Sequence, residues 1–166
     1  EGKGVRLSLS DAKKVEENVE GIEFVVPRNQ SSGLVVRNFQ SGNFSIAGDY
    51  PLLDKVQKKK LIHGRFINQN DIDNNRKVVV ISEEVYKQLF EKDAEMIGEY
   101  VQINDMNFKV IGMFQNGNVN MGPTSDMHIP FTTFQQIYNL GDRIGWMMIT
   151  GKPEYDIAQI EQDAKL

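Results

Sequence analysis

Two histidines, a cluster of short acidic and amide side chains, a glycine-rich stretch and a lysine run are the parts of this sequence that could do chemistry. His63 and His128 stand in different segments, each bracketed by apolar residues, and no His-x-x-x-His or His-Glu-x-x-His spacing occurs. Ser125, Asp126 and His128 contain the side-chain types of a hydrolytic triad. On one strand, however, Asp126 and His128 share a face while Ser125 points away, so the three cannot act on one substrate. Both histidines read as structural or surface residues, and nucleophilic hydrolysis has little support.

Asp71, Asp73 and Asn75 supply the first three oxygen positions of an EF-hand loop. Arg76 stands where the sharp turn needs glycine and Ser82 where a bidentate glutamate is needed, so the segment reads as a solvated turn. The run Gly117-Asn118-Val119-Asn120-Met121-Gly122 is glycine-rich like a phosphate cradle but lacks the lysine and the following helix N-terminus that hold an anion. It reads instead as a contact loop within 115–126, with Gly117, Asn118, Asn120 and Met121 as partner-contact residues. Lys55 with Lys58, Lys59 and Lys60 reads as a solvated face, with a lipid-headgroup contact as the sharper alternative.

The absence of cysteine removes thiol nucleophiles, thiolate metal sites and disulfides. With 19 basic against 23 acidic residues the net charge is −4, which argues against nucleic acid as the primary partner. No catalytic, cofactor or metal set emerges. At 166 residues the chain buries roughly 70% of its unfolded surface and forms a core without staples. No run approaches the 18 or so apolar residues that span a bilayer.

The elements that would position these residues follow from pattern. Ser8 and Asp11 have capping-box spacing, with Leu7 and Ala12 as a staple, and Ala12, Val15 and Val19 continue one face, predicting a helix from Leu9 to Glu20. Ile22 to Val26 reads as a short strand ending at Pro27. Leu34 to Phe39 and Phe44 to Ala47 flank a turn at residues 40–43. Asp49 looks like the start of a helical turn carrying Leu52, Leu53 and Val56. Val78 to Ile81 is unbroken β-branched sequence, hence a central strand, and Ser82 caps a helix with Glu83 and Glu84 in its first turn. Tyr100 to Ile103 and Met106 to Phe114 form a hairpin about Asn104-Asp105. Met127 to Pro130 reads as a strand, Thr132 or Thr133 as the cap of a helix ending at Gly141, and Trp146 to Thr150 as another strand. A last helix opens at Pro153 and is still running at Leu166, as in a piece cut from something larger. The class is α+β, with the two ends forming one split unit around an inserted middle.

Several pieces in order carry a resemblance: Gly64-Arg65-Phe66 followed by Asp71, Val78 to Ser82 leading to Leu89-Phe90, Ile97-Gly98, Phe108 to Gly112, and Ile129-Pro130-Phe131-Thr132-Thr133. Together they resemble the MacB-like periplasmic core domain, the extracytoplasmic region between the first two transmembrane helices of MacB/FtsX-type ABC transporter permeases. The pattern departs from the family at Met96, where proline is usual, and at Ile67 and Asp105. In the motif, Gly64 allows a backbone turn beside a packed chain, Phe66 anchors it next to Arg65, and Gly98 and Gly112 sit where a side chain would crowd a neighbour, with Pro130 as a further scaffold position.

The resemblance implies a porter-like subdomain of split ferredoxin-like βαβ halves, from residues 1–31 and 141–166, and an inserted mixed α/β sabre-like subdomain over 32–140. It implies no chemistry of its own. A cytoplasmic ABC ATPase would drive a permease dimer, and motion would pass to the periplasmic domain. A periplasmic adaptor and an outer-membrane channel would be further partners of this inner-membrane protein. A free-standing peptide- or lipid-binding module is the alternative, and an uncharacterised hydrolase a third reading.

Overall fold

The computed structural model describes residues 7–57, 59–115 and 125–152. It opens with β1 (Leu7–Ser8) and α1 (Leu9–Asn18). The Ser8 hydroxyl accepts the Asp11 N–H while the Asp11 carboxylate accepts the Ser8 N–H, which is the capping box expected from spacing. Ala12 and Val15 form its buried face.

The next strand, β2 (Ile22–Arg37), is three times as long as the apolar run suggests and passes straight through Pro27. The reason is local pairing. Among the described residues the ladder partner of Pro27 is Met147 of β10 (Trp146–Gly151), and pairing with β3 (Gln40–Asp49) begins at Asn29, so the missing N–H falls where no ladder needs it. β2 and β3 join at Asn38-Phe39, with Arg37 opposite Gln40 and Asn38 at φ 53°, rather than at residues 40–43. Asparagine tolerates that left-handed backbone, and the two-residue loop keeps both strands in register.

After α2 (Leu53–Val56) come β4 (Lys60–Gly64), α3 (Gln69–Asp73), β5 (Val78–Ser82), α4 (Glu83–Leu89), β6 (Tyr100–Ile103), β7 (Met106–Gln115), β8 (Met127–Pro130), α5 (Phe131–Ile137) and β9 (Arg143–Ile144). β5 lies between β8 and β7 and is buried at every residue, as its sequence requires. Asn104 and Asp105 both take positive φ, 52° and 62°, in the two-residue turn between β6 and β7.

The main sheet runs β10-β2-β3-β8-β5-β7-β4, and β6 pairs with both β7 and β2. The six strands β2-β3-β8-β5-β7-β6 therefore form a hydrogen-bonded ring that returns to its first member. Alternate residues divide between two cores. Val35, Ile46, Val79, Ile81, Ile103, Phe108 and Met127 share one cluster with Leu89 and Phe90 of the α4 end and Phe134 of α5. Val78, Val80, Ile111 and Phe114 point the other way, into a second cluster with Ala12 and Val15 of α1, Ile72 of α3 and Phe131.

Three local expectations are corrected. Asp49 caps nothing: the residue before α2 is Leu52, without a side-chain cap, and the Asp49 carboxylate is claimed by the buried Arg28 guanidinium instead. Thr132 and Thr133 do not cap α5, because their hydroxyls donate to the carbonyls of Ile72 and Arg76 and tie the helix to the α3 segment. That helix ends at Ile137 rather than Gly141, since Asn139 turns to φ 55°. The helix expected from Pro153 lies outside the described residues, as do Gly117, Asn118, Asn120 and Met121 of the expected contact loop.

Candidate functional site

Three adjacent strands place a charged cluster inside the second core. Asn29 pairs with Gly48, which sets Arg28 beside Asp49, and Ala47 pairs with His128, which sets that imidazole on the same face one step along. Arg28 Nε and Nη2 donate to Asp49 Oδ1 and Oδ2 at 2.6 and 3.1 Å, and His128 Nδ1 lies 2.6 Å from Oδ2. All three side chains are 0% exposed. The guanidinium also faces the Trp146 ring at 5.3 Å.

Burial opposes the Asp49 charge, but the hydrogen bond from His128 and the guanidinium of Arg28 outweigh it and hold the carboxyl below the usual range. Burial pushes the His128 pKa down, further helped by Lys59 and Arg28 and only partly opposed by Asp49. The consistent assignment is a carboxylate paired with arginine and a neutral imidazole that donates from Nδ1. His128 Nε2 then has no hydrogen-bond partner among the described residues, between the edge of Phe66 and the tilted ring of Phe114.

A histidine oriented by an aspartate is half of a general-base pair. Here the imidazole has no exposed surface and the described residues bring no hydroxyl or thiol to it, so the arrangement fixes three strands rather than meeting a substrate. Lys59, expected to be solvated, is buried beside this cluster with its Nζ 5.0 Å from the Phe114 ring centroid. Burial and the nearby Arg28 lower its pKa. His63 is exposed on β4 and takes no part.

The second assembly is the Gly64-Arg65-Phe66 corner. Gly64 takes φ +73°, and a Cβ there would collide with the Ile111 carbonyl oxygen, so both the turn and the close chain demand glycine. A Cβ at Gly112 would collide with the Arg65 carbonyl, as expected. Gly98 differs: a Cβ would meet nothing within 4 Å, and the reason for glycine is its φ of +89°. Arg65 Nη1 donates to Asp71 Oδ2 at 2.8 Å and to the Phe66 carbonyl at 3.0 Å, while Arg76 Nη1 donates to Asp71 Oδ1 at 3.1 Å.

Asp71 is therefore no calcium ligand in a solvated turn. It is the buried N3 residue of α3, accepting the Asn68 N–H at 2.9 Å. Burial opposes its charge, but its hydrogen bonds from Arg65 and Asn68 and both arginine charges keep its pKa low. Pro130 ends β8, buried and paired with Asp49 of β3. No group of three or more histidine, aspartate or glutamate side chains among the described residues is placed to hold a metal ion.

Arg28, Asp49 and Lys59 were not legible as a cluster. The available signal was a charged residue at each end of an apolar β run, Arg28 after Val25-Val26-Pro27 and Asp49 after Ile46-Ala47-Gly48.

Comparison with known proteins fits this scaffold. The MacB-like periplasmic core domain model matches residues 1–165. The macrolide export ATP-binding/permease protein MacB of Bdellovibrio bacteriovorus is 30% identical over 112 residues, covering 68% of this chain and 17% of that protein. The protein of the same name from Aggregatibacter actinomycetemcomitans is 29% identical over 144 residues, 84% of this chain and 22% of that one, so the chain spans about a fifth of the length of these relatives. The crystal structure of the periplasmic region of MacB from Actinobacillus actinomycetemcomitans superposes with a TM-score of 0.82 at 24% identity, covering 98% of this chain and 73% of that one. The extracellular domain of the ABC-type transporter YknZ from Gram-positive bacteria gives 0.79 at 19% identity, covering 95% and 78%. With a family model aligned along essentially its whole length, the chain belongs to the MacB-like periplasmic core domain family of ABC transporter permeases.

Proposed function

We propose that this chain is the extracytoplasmic domain of an inner-membrane ABC permease and that it works by transmitting motion, with no catalysis of its own. The observation that carries the reading is the match of residues 1–165 to a permease domain family. ATP hydrolysis belongs to a cytoplasmic ATPase domain or subunit, a second permease copy completes the transporter, and a periplasmic adaptor and outer-membrane channel are further partners. The sealed His128–Asp49 pair agrees with a domain that does no chemistry.

The same reading divides the domain into a porter-like part from the two ends and a sabre-like part from the middle. Its support is the change of partner along β2, which pairs with β10 up to Arg28 and with β3 from Asn29 onward. The buried Arg28–Asp49–His128 cluster sits at that change and makes it stiff. Subdomains joined this way move as bodies rather than by local unfolding.

These 166 residues contain no cysteine, so an introduced Cys is the single spin-label site within them. In the full-length permease, labels at Lys14→Cys on α1 and, separately, at Phe39→Cys on the β2–β3 tip are expected to give different inter-copy distances in the nucleotide-free and ATP-trapped states. Identical distance distributions in both states, with the ATPase active, would remove the motion-transmitting reading.

A further inference from the structure

The β4–α3 corner frames a concavity of about 520 Å³ whose walls include Gly64, Arg65, Arg76, Gly98 and Lys109. Its lining contains three cations and no acidic residue. Among the described residues the one carboxylate that touches these cations, Asp71, lies behind them at 0% exposure, whereas the Arg65 and Arg76 side chains are 40% and 38% exposed. Three cations against one carboxylate leave an excess of two positive charges in a chain whose net charge is −4.

The donors are also only partly used. Arg65 spends both Nη atoms on Asp71 and Phe66, and Arg76 spends Nη1 on Asp71. Arg65 Nε, Arg76 Nε and Nη2, and the Lys109 ammonium have no hydrogen-bond partner among the described residues. The shared bond to Asp71 fixes both guanidinium groups, so little side-chain freedom is lost when a ligand arrives. Gly98, at positive φ with open space where a Cβ would stand, leaves its backbone uncovered along the floor. Planar guanidinium forks beside a lysine suit a tetrahedral oxyanion, and a concave cationic wall focuses the field on it.

We propose that this concavity is a binding site for a phosphate oxyanion, held by Arg65, Arg76 and Lys109. The source is either a free phosphate ester or a phospholipid headgroup, since the charged atoms are the same. This inference stands apart from the transport reading and survives its failure.

The test uses the isotope-labelled 166-residue chain. Titration with inorganic phosphate at constant ionic strength is expected to give saturable amide shifts at Arg76, Gly98 and Lys109. The Lys109 side chain is exposed and makes no hydrogen bond or ion pair among the described residues, so Lys109→Gln is expected to weaken phosphate by about tenfold, the loss of one charge-assisted contact, with the unfolding midpoint unchanged. Co-sedimentation with phosphatidylcholine vesicles containing phosphatidylglycerol, but not with phosphatidylcholine alone, assigns the site to a headgroup; phosphate binding without sedimentation assigns it to a free ester. Shifts that do not saturate, or an unchanged dissociation constant in Lys109→Gln, overturn the proposal.

Discussion

His128 and Asp49 show how one buried imidazole makes a whole domain sensitive to acid. The unfolded chain takes up a proton on this histidine at about pH 6.5, whereas the folded chain, with its imidazole held below that value by burial, does not. Between those two pKa values the unfolded state binds more protons, so stability falls as pH drops below about 6.5. Asp49 adds a second loss at lower pH, as the pH falls through the ordinary aspartate range towards its depressed folded value. Urea midpoints at about pH 7.5 and about pH 5.5 should therefore differ in the native sequence and differ less in His128→Gln. The ion pair makes a separate prediction. Asp49→Ala leaves Arg28 buried and unpaired and should cost about 3–5 kcal/mol in urea unfolding at neutral pH, while a joint Arg28→Met, Asp49→Leu change should recover most of it.

Among the elements, the three motif glycines separate two costs that sequence reasoning merged. Gly64→Ala meets both an unfavourable φ and the Ile111 carbonyl, while Gly98→Ala meets only the φ. Thermal or urea unfolding should show Gly98→Ala losing about 1–2 kcal/mol and Gly64→Ala clearly more, because a backbone shift of β7 is added. Where the sequence carried local signals, the elements came out as expected: the capping box at Ser8, the unbroken Val78 to Ile81 run, and the Asn104-Asp105 turn all depend on neighbours within a few residues. The failures have a common cause. Whether Pro27 ends a strand depends on Met147, whether Thr133 caps a helix depends on the Arg76 carbonyl, and whether Lys59 is solvated depends on Phe114, each set by distant chain. The anion-lining set was illegible for the same reason, since Arg65, Arg76 and Lys109 meet only after β4, α3 and β7 assemble.

At the scale of the molecule, the ring of β2-β3-β8-β5-β7-β6 explains why family resemblance in short motifs sufficed to name a fold. Gly64, Gly98 and Gly112 all lie where β4, β7 and the segment before β6 approach one another, so the motif residues mark places where strands meet. Closure through Val35 opposite Ile103 should also be testable. Replacing Val36, a ladder residue paired with Gln102, with proline should open the ring at β6 and expose the Gln102 amide to hydrogen exchange, while the β5 amides, paired on both sides, stay protected. Equal protection of β6 in both proteins would show that the β2–β6 link contributes nothing.

β2 itself has a mechanical consequence. A strand of 16 residues is about 50 Å from end to end at roughly 3.3 Å per residue. Its first half is bonded to β10 and its second half to β3 and β6, so a pull along its axis loads many backbone hydrogen bonds side by side in shear. Such a strand slides only if many bonds fail together. Its far end carries a fully exposed Phe39, so under the motion-transmitting reading proposed above a displacement at the α1 end would reach that aromatic tip with little lost to stretch.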